Sequence, residues 1–472
     1  MASRLMEQRS ATPLPDSETR ADDHSRTGPS EDIEYPKDSS GSCPNTTSCP
    51  STAATSAPSR SRASGIISAL SERMAWLGMR NEAWHRDDGV RATTPCIAAI
   101  AIGAVAASGY MIALCLTLAV LFPLGLSRSR KTAFALMLCY YVGATWQILP
   151  GTAVFFGHHA NAIQVILLWG GASTVLALPW ALFFSTRARL RLLTVPLTLI
   201  VLAVPPLGIF GVASPLIASG ILFPGTRWLG LLLTLLVCGL LASYPRWGLL
   251  LAIGIVLPLN LSYRAPMQPK DWEAVSTHFG GVGLDAASPL AEYSAAQYIQ
   301  QAALNSKARV IVFPETVVSN WNEATDAFWS RTIQTLQRDG KTMLVGAIIQ
   351  GSENQPPFNC VIIRGVNGPA EFLQRTPVPI SMWNPFSADG IPFRLQGQST
   401  LDLDGEKAAI LICYEQLLVW PELTSFAQSP TILIGIANNY WARGTSISNI
   451  QRASLASWAR LFRVPLLWAE NS

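Results

Sequence analysis

Two residues of this chain combine a reactive type with a place where chemistry could be done. Cys413 closes the apolar run 408–413 and is followed at once by Tyr414 and Glu415, a polar pair out of place in the middle of a core strand. Glu315 ends a second run, Val310-Ile311-Val312-Phe313-Pro314-Glu315, whose proline cannot continue a central ladder and so stops the strand. A lone cysteine in a strand is most often a small core hydrophobe. A thiol and a carboxyl at the C-terminal mouths of two buried strands, however, lie where open α/β sheets bind ligands. The carboxylate supplies the base that turns a thiol into a nucleophile. The pair suits amide hydrolysis or acyl transfer.

The elements that must position this pair fall in residues 266–472. Short apolar runs at 309–313, 343–349, 360–364, 408–413, 431–436 and 466–469 alternate with helical stretches at 291–306, 323–338 and 446–462. Strands apolar on both faces are buried on both faces, so helices must cover a sheet in a layered α/β architecture.

Ahead of that domain the composition changes. Charged residues make up only 14% of the 472-residue chain, against roughly 25% in soluble domains, and the deficit is concentrated in residues 95–262. Apolar runs at 97–126, 133–149, 162–184, 192–212, 229–242 and 247–261 read as a polytopic membrane domain. The first run is too long for one untilted helix and too short for two at ~1.5 Å per residue. Arg128, Arg130 and Lys131, then Arg187, Arg189 and Arg191, then Arg246 occupy alternate loops. The loops between hold His158 and His159, or 215–224, with only Arg227 at a span edge. The positive-inside rule puts the arginine-rich loops in the cytoplasm and residues from 262 on across the membrane, in the periplasm of a Gram-negative cell. The spans carry none of the buried acids or lysines that mark transport paths, which disfavours a transporter.

Residues 1–92 are rich in Ser, Thr, Pro and charge, cannot bury enough apolar surface to order themselves, and are expected to be a disordered tail. No apolar core follows the first charges, so this is not a signal peptide. A start nearer Met74 or Met79 is the alternative. The net charge of +4 is small and its cations are scattered, which excludes a nucleic-acid patch. Of eight cysteines, Cys96, Cys115, Cys139 and Cys238 sit in or beside apolar runs, Cys43 and Cys49 in the tail, and only Cys360 and Cys413 in the last region. None pairs with His at ligand spacing, so neither metal nor other cofactor is expected.

Taken together, the residues resemble the nitrilase, or carbon–nitrogen hydrolase, superfamily. Phe313-Pro314-Glu315 and Ile412-Cys413-Tyr414-Glu415 match its glutamate and cysteine motifs. Ala437-Asn438-Asn439-Tyr440-Trp441 looks like its Asn-Asp-x-Trp turn, and Gln451-Arg452-Ala453 with Arg463-Val464-Pro465 looks like the helix and strand that follow. A polytopic domain before such a fold resembles apolipoprotein N-acyltransferase. The resemblance implies a multi-pass α-helical membrane domain followed by a nitrilase-like α-β-β-α sandwich, here C-terminally shortened, since the chain stops after Ala469-Glu470-Asn471.

It also implies a catalytic lysine that this chain lacks. Aligned on Val378-Pro379, the lysine position falls on Gln374, with Arg375 next, and a second family glutamate has no counterpart in Ile380-Ser381-Met382. The resemblance then assigns Glu315 as base, Cys413 as nucleophile and Arg375 as substitute oxyanion donor, although a guanidinium lacks the compact geometry of an ammonium and does not shed its proton. Gln374 and Glu415 would touch substrate; for Glu415, an ion pair to an arginine such as Arg443 is the competing reading. Trp383, Trp420, Trp441 and Trp458 could line an acyl groove or simply fill core and membrane interface. The stretch from Arg375 through Pro379 to Trp383-Asn384-Pro385 resembles the same stretch in the TraB conjugal-transfer proteins of rhizobial and agrobacterial plasmids. That likeness implies membrane lipids and conjugation-machinery proteins as partners, and either residual thioester chemistry or a catalytically degenerate fold kept as a scaffold.

Overall fold

The computed structural model describes residues 94–156, 161–281, 288–351, 356–383 and 390–472. The expected tail, with Cys43, Cys49, Met74 and Met79, lies outside these residues, as do His158, His159, Asn384 and Pro385.

The apolar stretch up to residue 262 forms helices α1 (Thr94–Ala106), α2 (Met111–Leu126), α3 (Arg130–Ala144), α4 (Ile148–Phe156), α5 (Ala162–Leu182), α6 (Ala188–Ala203), α7 (Trp228–Ser243) and α8 (Pro245–Ser262). The long first run breaks between α1 and α2, and Gln147 Nε2 donates to the Ala107 carbonyl freed there, at 2.7 Å. α5 and α8 are long and apolar enough to cross a membrane. Ile163, Ile166 and Leu167 on α5, and Leu250, Ile253 and Leu257 on α8, are exposed.

The rest forms two sheets. Strands β1 (Trp272–Ala274), β2 (Val310–Val312), β3 (Thr342–Ile349), β4 (Phe358–Gly365) and β5 (Ala370–Leu373) make one, in sequential order. Strands β6 (Thr400–Leu403), β7 (Glu406–Ile412), β8 (Ile432–Asn438) and β9 (Leu466–Asn471) make the other. β1, β2 and β3 run parallel, as do β7, β8 and β9, while β4, β5 and β6 join antiparallel.

Period-two alternation explains the layering. Val310 and Val312, Val361 and Ile363, Ala408, Ile410 and Ile412, and Ile432, Ile434 and Ile436 meet in one core between the sheets. The alternate residues Ile311, Phe313, Met343, Val345 and Ile362 face α9 (Pro289–Asn305) and α10 (Glu323–Arg338). Ala409, Leu411 and Leu433 face α11 (Val419–Ala427) and α12 (Ile447–Phe462), in a core continuous with the N-terminal helices. The order is α-β-β-α. α12 therefore packs on both sides: a side chain at Gly220 would place its Cβ 1.7 Å from the Ser457 carbonyl oxygen, so the short helical turn 219–222 rests directly on α12. Cys360 is a core residue whose Sγ donates to the Ala347 carbonyl at 3.3 Å.

Candidate active site

β2 ends at Val312, and Phe313-Pro314 carry the chain over the edge of β3 to Glu315. The turn lies so close to β3 that a Cβ on Gly346 would stand 2.3 Å from the Pro314 oxygen and 2.4 Å from Glu315 Cα. Glycine is required there, and its N–H donates to Pro314 O at 3.0 Å. The buried Glu315 carboxyl accepts from Asn359 Nδ2 on Oε1 (2.6 Å) and from the Asn438 backbone N–H on Oε2 (2.9 Å). Asn359 is held in turn by Thr316, whose Oγ1 lies 3.3 Å from its Oδ1.

Cys413 follows β7 directly and opens a tight helical turn, Cys413–Leu417, in the left-handed region at φ +50°. A non-glycine residue there is strained, and such strain collects at functional sites. Its thiol lies against the Glu315 carboxyl, near enough for each to shift the other's ionisation. Gln451 Nε2, from α12, donates to the Cys413 carbonyl at 3.2 Å and lies 3.9 Å from Sγ. The Tyr414 hydroxyl donates to the Ile209 carbonyl at 2.8 Å, tying the thiol turn to the N-terminal helices.

Burial dominates the electrostatics. Loss of solvent pushes the Glu315 carboxyl up to about 7, against the opposing hydrogen bonds from Asn359, Asn438 and Cys413. Burial, then the Glu315 charge, pushes the Cys413 thiol well above its ordinary value. Resting chemistry is thus a neutral thiol beside a carboxyl poised near neutrality.

Gln374 shares this cleft: its Oε1 accepts from Asn359 Nδ2 at 3.1 Å and its Nε2 donates to the Ile412 carbonyl at 3.2 Å. The residue at the family's lysine position therefore touches both the neighbour of Glu315 and the residue before Cys413, but brings no charge.

Arg375 does not serve as expected. Alternation past β5 turns its guanidinium to the opposite side, where it donates to Thr424 Oγ1 (3.0 Å), Ser425 Oγ (3.2 Å) and the Pro421 carbonyl (3.4 Å). Its reach is spent on α11 rather than on the sulfur. Glu415 does not face a substrate either. It is fully buried, and its carboxylate accepts from the backbone N–H groups of Arg375 (2.7 Å), Thr376 (3.0 Å) and Ile412 (3.0 Å). Its cationic partner is Arg375, at 3.6 Å, rather than Arg443. Glu415 clamps the strand end before Cys413 to the loop carrying Gln374 and has no open side toward a substrate. Among the described residues no group of three His, Cys, Asp or Glu side chains gathers as metal ligands.

The chain is similar to known proteins over most of its length. The chain is 30% identical over 403 residues to the probable conjugal transfer protein TraB of Sinorhizobium fredii, across 82% of this chain and 100% of the relative. It is 32% identical over 396 residues to the conjugal transfer protein TraB of Agrobacterium fabrum, across 79% of this chain and 91% of the relative. The chain belongs to the TraB family. No family model matches it. Among solved structures, an amidase from Nesterenkonia sp. is 15% identical at a TM-score of 0.32, covering 44% of this chain and 78% of that one. A variant of the Nesterenkonia AN1 amidase, described as being from the nitrilase superfamily, is 12% identical at a TM-score of 0.30, covering 42% and 75%.

In this TraB-family chain, three cleft residues carried no assigned role in the sequence: Asn359, Asn438 and Gln451. Asn359 interrupts an apolar strand at a position that faces the other sheet, and a buried amide there must find partners. Gln451 lies one turn from Ile447 and one turn from Leu455 on the buried face of α12. Each was detectable as a polar residue on an otherwise apolar face.

Proposed function

We propose that this chain is a membrane-bound, nitrilase-like protein that supports plasmid conjugal transfer, in which Cys413 acts on an amide or acyl group through a thioester. The observation that carries the chemistry is the pairing of the Cys413 thiol with the Glu315 carboxyl inside a buried cleft, where each shifts the other's ionisation. Glu315 takes the thiol proton as sulfur attacks the carbonyl carbon. The carbon–nitrogen or carbon–oxygen bond then breaks, and the departing group leaves with that proton, giving the thioester. Water or an amine then releases the acyl group. The link to transfer rests on kinship with two proteins named for it. Exposed apolar side chains on α5 and α8 support membrane insertion, with lipid as the surrounding partner and conjugation-machinery proteins, not nucleic acid, as further ones. The charge pattern of the loops supports an inner-membrane protein with its sandwich in the periplasm.

One observation favours a second reading, a catalytically degenerate scaffold. The lysine position holds Gln374, whose amide is engaged on both sides and brings no charge there.

The full-length protein in donor-cell membranes, treated with an alkyne-tagged p-nitrophenyl ester, separates the two. Under the enzymatic reading, Cys413 is labelled, Cys413→Ala is not, and Glu315→Gln is slowed by ~10²-fold or more. Plasmid transfer falls in both variants while the protein still accumulates. An unlabelled wild type, with Cys413→Ala transferring plasmid normally, replaces the enzyme by the scaffold.

A further inference from the structure

We propose that Asn438 donates through Nδ2 to the oxyanion formed when Cys413 attacks a carbonyl, a neutral donor standing in for the missing lysine. The inference rests on the reading of Cys413 as a nucleophile.

Position comes first. Along β8 the inward-facing series Ile432, Ile434, Ile436 continues to Asn438. β8 runs parallel to β7 with Ile436 beside Ile412, so Asn438 sits at the sheet mouth where Cys413 leaves β7. Its own backbone N–H holds the Glu315 carboxyl that lies against the thiol.

The neighbouring hydrogen bonds fix which way its amide faces. Asn471 Oδ1 accepts from Thr277 Oγ1 and from the Phe279 N–H, each at 2.9 Å. Asn471 must then present its Nδ2, which donates to the Gly280 carbonyl and to Asn438 Oδ1, both at 2.9 Å. With Oδ1 so engaged, Asn438 Nδ2 points the other way. It is buried and has no hydrogen-bond partner among the described residues. A buried amide donor without an acceptor is costly and calls for an explanation.

The other amides of the cleft are already committed. Asn359 Nδ2 serves Glu315 and Gln374, Gln374 Nε2 serves the Ile412 carbonyl, and Gln451 Nε2 serves the Cys413 carbonyl. In the reaction, the thiol proton passes to Glu315 and the sulfur pair forms the S–C bond. The carbonyl π pair moves onto oxygen, where Asn438 N–H meets it. Collapse restores the C=O, expels the alcohol or amine, and returns the proton to it from Glu315.

Two reagents separate this role from simple support of the thiol. Iodoacetamide alkylates sulfur by displacement and forms no oxyanion, whereas p-nitrophenyl acetate must pass through one. Mass analysis of the Cys413 peptide from the full-length protein in membranes gives both rates. For Asn438→Ala, whose backbone N–H still holds Glu315, acylation is expected to slow by ~10²-fold while alkylation stays within about twofold of wild type. Asn438→Ser repeats the comparison if the alanine variant fails to accumulate. Unchanged acylation overturns the inference, and so does an equal fall in both rates, which would mean that Asn438 merely supports the fold. If acylation of the wild type is clear and Asn438→Ala does not alter it, only the inference fails. If the wild type is alkylated but never acylated, the nucleophile reading fails and the inference with it.

Discussion

A thiol and a carboxyl paired in a dry cleft titrate as a unit, and the Cys413–Glu315 pair should show it. Below about 7 the buried Glu315 carboxyl is protonated and offers the thiol no base. Iodoacetamide alkylation of Cys413 is therefore expected to rise as pH passes through about 7, and that step should vanish in Glu315→Gln. The same group sets a stability trend. Its folded value of about 7 lies above the ordinary 4.5, so the folded state binds the proton more tightly. The contribution is complete below pH 4.5 and is lost as pH rises through 7, by ~3 kcal/mol at most. Melting followed in detergent should show wild type losing ground to Glu315→Gln between pH 5 and pH 8. A constant difference would mean that Glu315 is ionised throughout. Both ends of this pair were legible in the sequence, because a proline and a polar tail mark where each strand stops. The direction of Arg375 was not. Charge says that a guanidinium needs an anion, and two carboxylates were available; only the fold shows that Glu415 and α11 receive it.

At the scale of elements, the site depends on how closely the turn after β2 lies against β3. Gly346→Ala would force Cβ against Pro314 O and Glu315 Cα. Backbone on both sides cannot yield as a side chain can, so the turn must shift. The expected cost is about 1–3 kcal/mol, with alkylation of Cys413 losing its Glu315-dependent acceleration. A variant that melts lower but keeps that acceleration would show that the turn moves as a body with its carboxylate. Apolar runs gave away the strands β2, β3, β4, β7, β8 and β9 to within a few residues, since each is covered on both faces. β1, β5, β6 and α11 carried too little signal. Three strands of three or four residues show no clear period, and α11 hides a proline at its third position, Pro421. α11 is nonetheless what draws Arg375 away from the thiol, so a missed element and a misplaced side chain have one cause. Trp458 follows the bland expectation: it is core, stacked in line with Phe426 and Phe462.

For the molecule as a whole, one continuous core runs from the N-terminal helices through α12 to the outer face of β7 and β8, behind the thiol turn. Tyr414 adds a hydrogen bond across that junction. In the proposed membrane placement the cleft lies near the N-terminal helices on either side, and the side decides what it can meet. The arginine-rich loops predict the periplasm. Met267, just past α8 and 91% exposed, is a suitable reporter. The native Cys413 and Cys360 are buried and should react slowly with bulky reagents. With Met267→Cys in the full-length chain, a membrane-impermeant maleimide added to intact spheroplasts should label the protein as completely as after lysis, over the wild-type background. Labelling that requires lysis would put the sandwich in the cytoplasm. The span count read from the loops would then be off by one, and acyl donors confined to the outer leaflet would be out of reach. Labelling of spheroplasts would instead leave a buried thiol with a carboxylate neighbour facing the compartment where donor and recipient envelopes come into contact.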